Sequence, residues 1–261
     1  MNADKPSSRT LSTVSTTFRI IDALERLDEA TAVELMSDLD LSKSAVYNHL
    51  TTLKQHGYIV QEEDRYSLSL EFLRLGEFVR NKNRVYVTAR PRLVELAENT
   101  GEYTHLSTEE HGRLIHIWKV KGEHAVGQRF QKNKMQETDR LHYTATGKAI
   151  LAHLPETRRE EIIQQSDLVR KTENTITAPD ALREELETIR SEGYAYNNEE
   201  QIEGLRAVGA PIRDKSGRVL GAISISGPTS RIKGDEFRKH VPEAITRTAN
   251  IIEVDLNMDS R

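Results

Sequence analysis

One segment constrains the fold more than any other: Ser42 followed by KSAVYNHLTTLKQH and then Gly57. Serine is a preferred N-cap because its hydroxyl accepts an orphan N–H of the first turn. Glycine is a preferred exit residue because it turns left-handed without a Cβ penalty. Between these marks Val46, Leu50 and Leu53 share one face, and Ser44, Asn48, Thr51 and Gln55 share the other. The spacing predicts a helix that packs on one side and presents short, uncharged hydrogen-bonding groups on the opposite side. Directly after Gly57, YIVQEEDRYSLSL holds two β-prone runs around Glu62, Glu63, Asp64 and Arg65, which predicts a hairpin.

Two shorter helices precede this segment in the pattern. Phe18, Ile20, Ile21, Leu24 and Leu27 recur near helical spacing, and Thr31 stands as a cap before Val33, Leu35, Met36 and Leu39. Three helices and a hairpin over residues 18–69 read as a winged helix-turn-helix. The hydroxyl-rich SSRTLSTVSTT before Phe18 reads as the end of a flexible N-terminal arm spanning residues 1–17.

A recognition helix enters the major groove with its N-terminal turns, so Ser44, Tyr47, Asn48 and Thr51 are the candidate base-reading residues. Asparagine can bridge N6 and N7 of adenine, and a threonine methyl can meet thymine. Lys43 and Lys54 are placed to hold phosphates, and Arg19 and Arg65 complete the candidate DNA-contacting set. Against this stands the charge: residues 1–67 carry seven Lys or Arg and eleven Asp or Glu, whereas DNA-binding domains are usually basic. The acids gather on the first two helices and at the hairpin tip, while residues 41–58 hold Lys43 and Lys54 and no acid. The alternative reading is a ligand-sensing module whose winged helix docks on protein partners.

Residues 70–85, with LEFLRLGEFVRNKN, read as a linker helix whose Leu70, Leu73, Phe78 and Val85 pack on a partner copy. Pro91 restarts a helix that stops at Asn99 to Gly101. The remainder to residue 261 is mixed, so the chain is α+β. YTHLSTEE, Gly112 and RLIHIWKV make a hairpin that Ala125 to Phe130 extend. Helices are expected at Thr146–His153, Pro155–Gln165 and Pro179–Glu192, then a strand pair, LRAVGAPI and RVLGAISISG, and a terminal helix from Asp235 to about Asp255.

The chain contains no cysteine, which excludes disulfide frameworks, thiolate nucleophiles and zinc fingers and fits a reducing interior. Asp4 and Pro6 interrupt any signal-peptide pattern, and no run of about 18 apolar residues occurs. A cytoplasmic protein with no membrane partner is expected. Neither GxSxG nor GxxxxGK[ST] is present, so no enzyme is signalled. His105 and His116 could face each other across their hairpin. No HxxxH or HExxH supports a metal, and exposed strand histidines are the commoner case, so no metal and no cofactor is expected.

Two features point to a small-molecule pocket. In GAISISG the pleat sends Ile223 and Ile225 to one face and Ser224 and Ser226 to the other. In YTATGKAI, Thr144 or Thr146 opens a helix, Gly147 permits close approach, and the free N–H groups of a helix start suit an anion. Lys148 beside them reads equally as a solvated surface residue. Together they suit a small carboxylate or a sugar-derived acid.

Four spaced motifs, LSKSAVYNHLTTLKQHGYI, LHYTATGKAILAHLP, GYAYNNEEQIEGLRAVGAPI and GAISISGP, resemble the IclR family of bacterial and archaeal transcription regulators, and the likeness runs from Phe18 to Ile251. The resemblance implies a GAF-like effector domain with an antiparallel sheet over residues 86–261. It further implies a homodimer or dimer of dimers, a double-stranded operator, and a metabolite effector that alters operator affinity. Carried over by position, its effector pocket takes Ala145, Thr146, Gly147, Asn197, Ala207, Ser224 and Ser226. Asn197 stands where the family usually has an acid, and Ala207 where it often has cysteine.

Overall fold

The computed structural model describes residues 10–126 and 139–258. The chain divides into two compact units, residues 1–79 and 80–261.

The first unit opens with α1 (Ser12–Leu27), then β1 (Glu29–Thr31), α2 (Ala32–Leu39), α3 (Lys43–Gln55), β2 (Ile59–Glu62) and β3 (Arg65–Leu68). Ser42 caps α3 by accepting from the Ala45 N–H, and Gly57 adopts φ +78° as its position demands. Thr31 caps α2 with a reciprocal capping box to Glu34. A core of Ile20, Leu24, Leu35, Val46, Leu50, Ile59 and Tyr66 joins the pieces. Each such buried side chain is worth about 1.5–3 kcal/mol of transfer free energy. The wing has a third strand that the sequence pattern hid: β1 pairs antiparallel with β3, giving the order β1-β3-β2. Three residues are too few to show alternation.

Two expectations here are corrected. The first helix starts at Ser12 rather than Phe18, so Ser12–Thr17 are helix and not arm. Their hydroxyls bond back to carbonyls four residues earlier, as Thr16 does to Ser12 and Thr17 to Thr13, and Thr17 Oγ1 also lies 2.9 Å from His49 Nδ1 of α3. Phe18 is 60% exposed, in a stripe with Leu11 and Val14, while Ile20, Ala23 and Leu24 carry the packing.

α4 (Glu71–Lys82) follows and buries none of its residues. Val85 is not part of its apolar face: α5 runs from Arg84 to Thr100, and Val85 is buried in the second unit's core. Pro91 does not start α5 but lies inside it.

The second unit is built on a five-stranded antiparallel sheet in the order β5-β4-β8-β7-β6. Its strands are β4 (Tyr103–Glu110), β5 (Arg113–Val120), β6 (Ala195–Asn198), β7 (Leu205–Arg213) and β8 (Val219–Pro228). β6 escapes the sequence pattern because only Ala195 and Asn197 of its four residues face inward, and one of the two is polar. Ala125 and Val126 form no strand, and the rest of the expected extension to Phe130 lies outside the described residues.

Helices cover both faces. Leu106, Val208, Ala210, Ile212, Ile223 and Ile225 pack against α5 and the terminal α9 (Val241–Met258), which a π-helical turn at Glu236–His240 precedes. The other face meets α6 (Ala145–His153), α7 (Glu156–Gln165) and α8 (Pro179–Glu192) through Leu114, Ala195, Ala222, Ile150, Ile163 and Leu186. That second face is apolar only at its margin. Its middle is polar.

Candidate functional sites

The α3 face matches its predicted geometry. Ser44, Tyr47, Asn48 and Thr51 are all exposed, while Val46, Leu50 and Leu53 are buried. The Lys43 ammonium sits 5.8 Å from the centre of the Tyr47 ring, which holds both near the helix start.

The other candidate cations are committed inside the unit. Lys54 Nζ donates to Gln61 Oε1 at 2.9 Å, tying α3 to the wing. Arg19 donates to the Leu39 carbonyl at 2.8 Å. Arg65 lies 2.6 Å from the Glu29 carboxylate and 3.5 Å from that of Glu34. Glu34 is held below the usual carboxylate range chiefly by its hydrogen bonds from Thr31, with Arg65 adding to the effect. Arg19, Lys54 and Arg65 therefore each engage a partner within the unit. Sequence reasoning missed this because the partners lie 20 and 36 residues away for the two arginines.

In the second unit, strand register assembles the expected effector residues. Asn197 pairs with Ala207, Ala207 with Ser226, and Ser226 with Tyr103. One step along, Ala195 pairs with Gly209, Gly209 with Ser224, and Ser224 with His105. Adjacent same-face positions across strands lie about 5 Å apart, so two parallel rows of inward groups result. The start of α6 lies over them: a Cβ added to Gly209 would come within 2.7–2.9 Å of the Ala145 carbonyl and the Thr146 nitrogen. A glycine is required there for the helix start to reach the sheet.

Within this cluster the predicted residues have different tasks. Thr144 caps α6 by accepting from the Gly147 N–H, and a Cβ added at Gly147 would overlap the Leu141 carbonyl. The close approach that Gly147 permits is thus to the chain itself. Asn197 donates through Nδ2 to the Tyr143 carbonyl at 3.0 Å and accepts the Glu200 N–H at 2.9 Å. A carboxylate at this position could not make the first of these bonds, which gives the departure from an acidic residue a structural reason. Ser226 Oγ is 2.9 Å from His105 Nε2. Ser224 is buried, and its hydroxyl makes no hydrogen bond among the described residues.

The histidines are not exposed strand residues. His105 is buried, the His116 side chain is 3% exposed, and their rings lie 6.3 Å apart on the same polar face. His116 Nε2 is 2.9 Å from Asp139 Oδ2, and its Nδ1 is 3.0 Å from Ser107 Oγ. An ionised carboxylate only accepts, so Nε2 carries a proton. Asp139 also accepts from Gln201 Nε2 at 2.9 Å and from the Tyr143 hydroxyl at 3.2 Å. Burial first, and the Asp139 charge second, push the Tyr143 hydroxyl up to about 12, so it stays a donor. Thr146 Oγ1 completes the chain with a 3.4 Å contact to Ser107 Oγ. His105, Ser107, His116, Asp139, Tyr143 and Gln201 therefore join the candidate cluster, although the sequence reading left them out of it; the facing of His105 and His116 across a hairpin was a usable signal.

Lys148 is the second correction. It is not solvated but 1% exposed, with Nζ 2.9 Å from Glu185 and 2.8 Å from Glu200. Burial raises the Glu200 carboxyl, and the Lys148 charge opposes that shift. The pair fastens α6 to the segment that carries Asn197 and Gln201.

Comparison with known proteins covers both units. A family described as IclR helix-turn-helix domain matches residues 13–63, and one described as Bacterial transcriptional regulator IclR C-terminal matches residues 78–254. A probable HTH-type transcriptional regulator ArcR of Halobacterium salinarum is 39% identical over 97% of this chain and 97% of its own. The HTH-type transcriptional regulator KdgR of Escherichia coli is 33% identical, with 92% of this chain and 91% of its own covered. The crystal structure of Thermotoga maritima IclR superposes with a TM-score of 0.73 at 30% identity, covering 95% of this chain and 99% of that one.

Proposed function

Because the chain belongs to the IclR family of transcriptional regulators, and is thus a DNA-binding regulator with an effector-binding C-terminal domain, we propose the residues and ligand class that carry this role. Ser44, Tyr47, Asn48 and Thr51 read base edges from α3, with Lys43 on a neighbouring phosphate. The effector is a small carboxylate or sugar-derived acid held on the polar face of the sheet.

One observation carries the ligand reading: register gathers His105, Ser224 and Ser226 beneath the α6 N-terminus, inside an otherwise covered sheet face. Buried polar groups need partners. The unengaged Ser224 hydroxyl and the N–H groups at the start of α6 suit an anionic, hydroxyl-bearing guest. The chain works as a homodimer or dimer of dimers, a reading supported by the exposed stripe of Leu11, at the N-cap of α1, with Val14 and Phe18 on α1, and by Leu73, Phe78 and Val79 on α4. Among the described residues no helix is long and apolar enough to cross a membrane, which supports a cytoplasmic site of action. Effector binding then acts as a population shift between arrangements that hold DNA well and poorly, and only a ligand with unequal affinity for the two can act.

The test is fluorescence anisotropy of the full chain against a duplex from its own upstream region and a scrambled duplex, with and without a panel of small hydroxy and keto acids. A preference of roughly a thousandfold for the native duplex is expected, relieved or enhanced by one acid. Equal affinity for both duplexes overturns the base-reading assignment. No response to any acid, with DNA binding intact, overturns the ligand class.

A further inference from the structure

An acid held on a covered sheet face needs positive charge beside it, because a carboxylate taken out of water without a partner is costly. Ser224, Ser226, Asn197 and the N–H groups of α6 offer only neutral dipoles. The Lys148 ammonium is already placed within 2.9 Å of Glu185 and 2.8 Å of Glu200. The row that runs through Ala195, Gly209, Ser224 and His105, however, continues one strand further, since His105 pairs with Lys119 of β5. Directly opposed residues of an antiparallel pair share a face, so Lys119 stands on the same side as His105 and Ser224. In this row and the neighbouring one of Tyr103, Ser226, Ala207 and Asn197, Lys119 is the only permanently charged side chain.

The position of its ammonium is unusual for the strand it occupies. β5 is an edge strand, and a lysine there ordinarily lays its methylenes on the sheet and carries its charge outward to water. Lys119 is instead half-buried, with Nζ 5.8 Å from the centre of the Tyr103 ring on β4, the next strand in. Tyr103 is itself buried, pairs with Ser226, and lies 6.2 Å ring to ring from His105. His105 Nε2 is in turn 2.9 Å from Ser226 Oγ. An ammonium, an imidazole and a hydroxyl are thus gathered around one buried ring. A ring face attracts a cation through its quadrupole, which holds the charge in place without cancelling it.

We propose that Lys119 is the residue through which this domain recognises the charge of its effector: the negative group of the acid meets the Lys119 ammonium beside His105 and Ser226, and its hydroxyls lie along the rows toward Ser224. The inference rests on the effector reading above and adds to it the group that separates an acid from an uncharged compound of the same shape. Hydrogen bonds between ionised partners are roughly twice as strong as neutral ones. Lysine acts as a point charge without the fixed fork of arginine, so it accepts acids that differ in the carbon skeleton behind the carboxylate.

The experiment titrates the full chain calorimetrically with glycolate, lactate, glycerate and gluconate, and with the primary amide of each. The native chain is expected to prefer at least one acid over its amide by about tenfold or more. Lys119→Met should bring that ratio close to one by weakening the acid about 10- to 100-fold, with the amide and apo DNA binding unchanged. Lys119→Gln, which is neutral but keeps a polar end on the half-buried edge strand, should give the same result and serves if the methionine variant does not fold. A neutral variant that still prefers the acid overturns the proposal and leaves the ligand class standing. Equal losses on acid and amide also overturn it, because the lysine would then shape the site without reading charge. Binding of none of the acids by the native chain removes the ligand class itself, and the proposal with it.

Discussion

The outward row of α3 and the inward rows of the five-stranded sheet use the same kinds of side chain under opposite conditions. Ser44, Asn48 and Thr51 face water, where spare hydrogen-bonding capacity is met by solvent. Ser107, Asn197 and Ser226 are buried, and each is bonded within the fold, to His116, Tyr143 and His105 respectively. A buried polar atom left without a partner costs about 1–3 kcal/mol. The first row is therefore free to vary for recognition, whereas the second is bound into a network that can change only in concert.

The sharpest way to break this contrast is Lys148→Met. It strands Glu200 in the interior, and removing one member of a buried pair costs about 3–5 kcal/mol. Urea denaturation followed by the fluorescence of Trp118, the chain's single tryptophan and a second-unit residue, should show that loss. A cost below about 1 kcal/mol would mean that the pair does not hold α6 to the Glu200 segment. Lys148→Met combined with Glu200→Gln should recover much of the stability, because the only carboxylate of the cluster that then keeps its charge is that of Glu185, which is 31% exposed and reaches solvent.

Asn48→Ala probes the other side of the comparison. It should leave stability within about 0.5 kcal/mol, since the side chain is exposed. Discrimination between native and scrambled duplex should fall by about 1–3 kcal/mol, read as the ratio of the two dissociation constants. Equal losses on both duplexes would make Asn48 a general contact and not a base reader.

A smaller effect is expected from Ser224→Ala, a substitution in the buried rows that breaks no side-chain hydrogen bond among the described residues. Affinity for the acid that shifts operator binding should drop by about 0.5–1.5 kcal/mol in a calorimetric titration, with apo DNA binding unchanged. Undiminished ligand affinity would remove Ser224 from the pocket.

The finest distinction is in pH. His142 and His153 are both held below their ordinary value of 6.5, mainly by burial. As the pH falls through 6.5 the unfolded chain gains protons that the folded second unit resists, so its stability is full at neutral pH and declines on acidification. The thermal midpoint read by Trp118 should fall between about pH 7.5 and 5.5, and His153→Gln should flatten that slope. A midpoint that rises on acidification would contradict the burial of these rings.

The two regions also differ in how far they could be read in advance. Ser42, Gly57 and the Val46, Leu50, Leu53 spacing announce α3 and its exposed row because every signal lies within one helix. The alternation in GAISISG likewise places Ile223 and Ser224 on opposite faces. By contrast the start of α1 was obscured, because the hydroxyls of Ser12–Thr17 suit a loose arm as well as a helix until Thr17 meets His49.

What the sequence determined by itself is the local geometry: caps, turns, the period of each element, and the family that those motifs resemble. Only the tertiary structure decided which cations are spent inside the fold and which polar groups meet. His105 reaches Ser226 across 121 residues, and Lys148 reaches Glu200 across 52. Burial turns each such meeting into a requirement, because the low-dielectric interior makes an unpaired polar group costly and a paired one cooperative. No local pattern encodes a partner that distant. Sheet register does, and register forms only when the whole core closes.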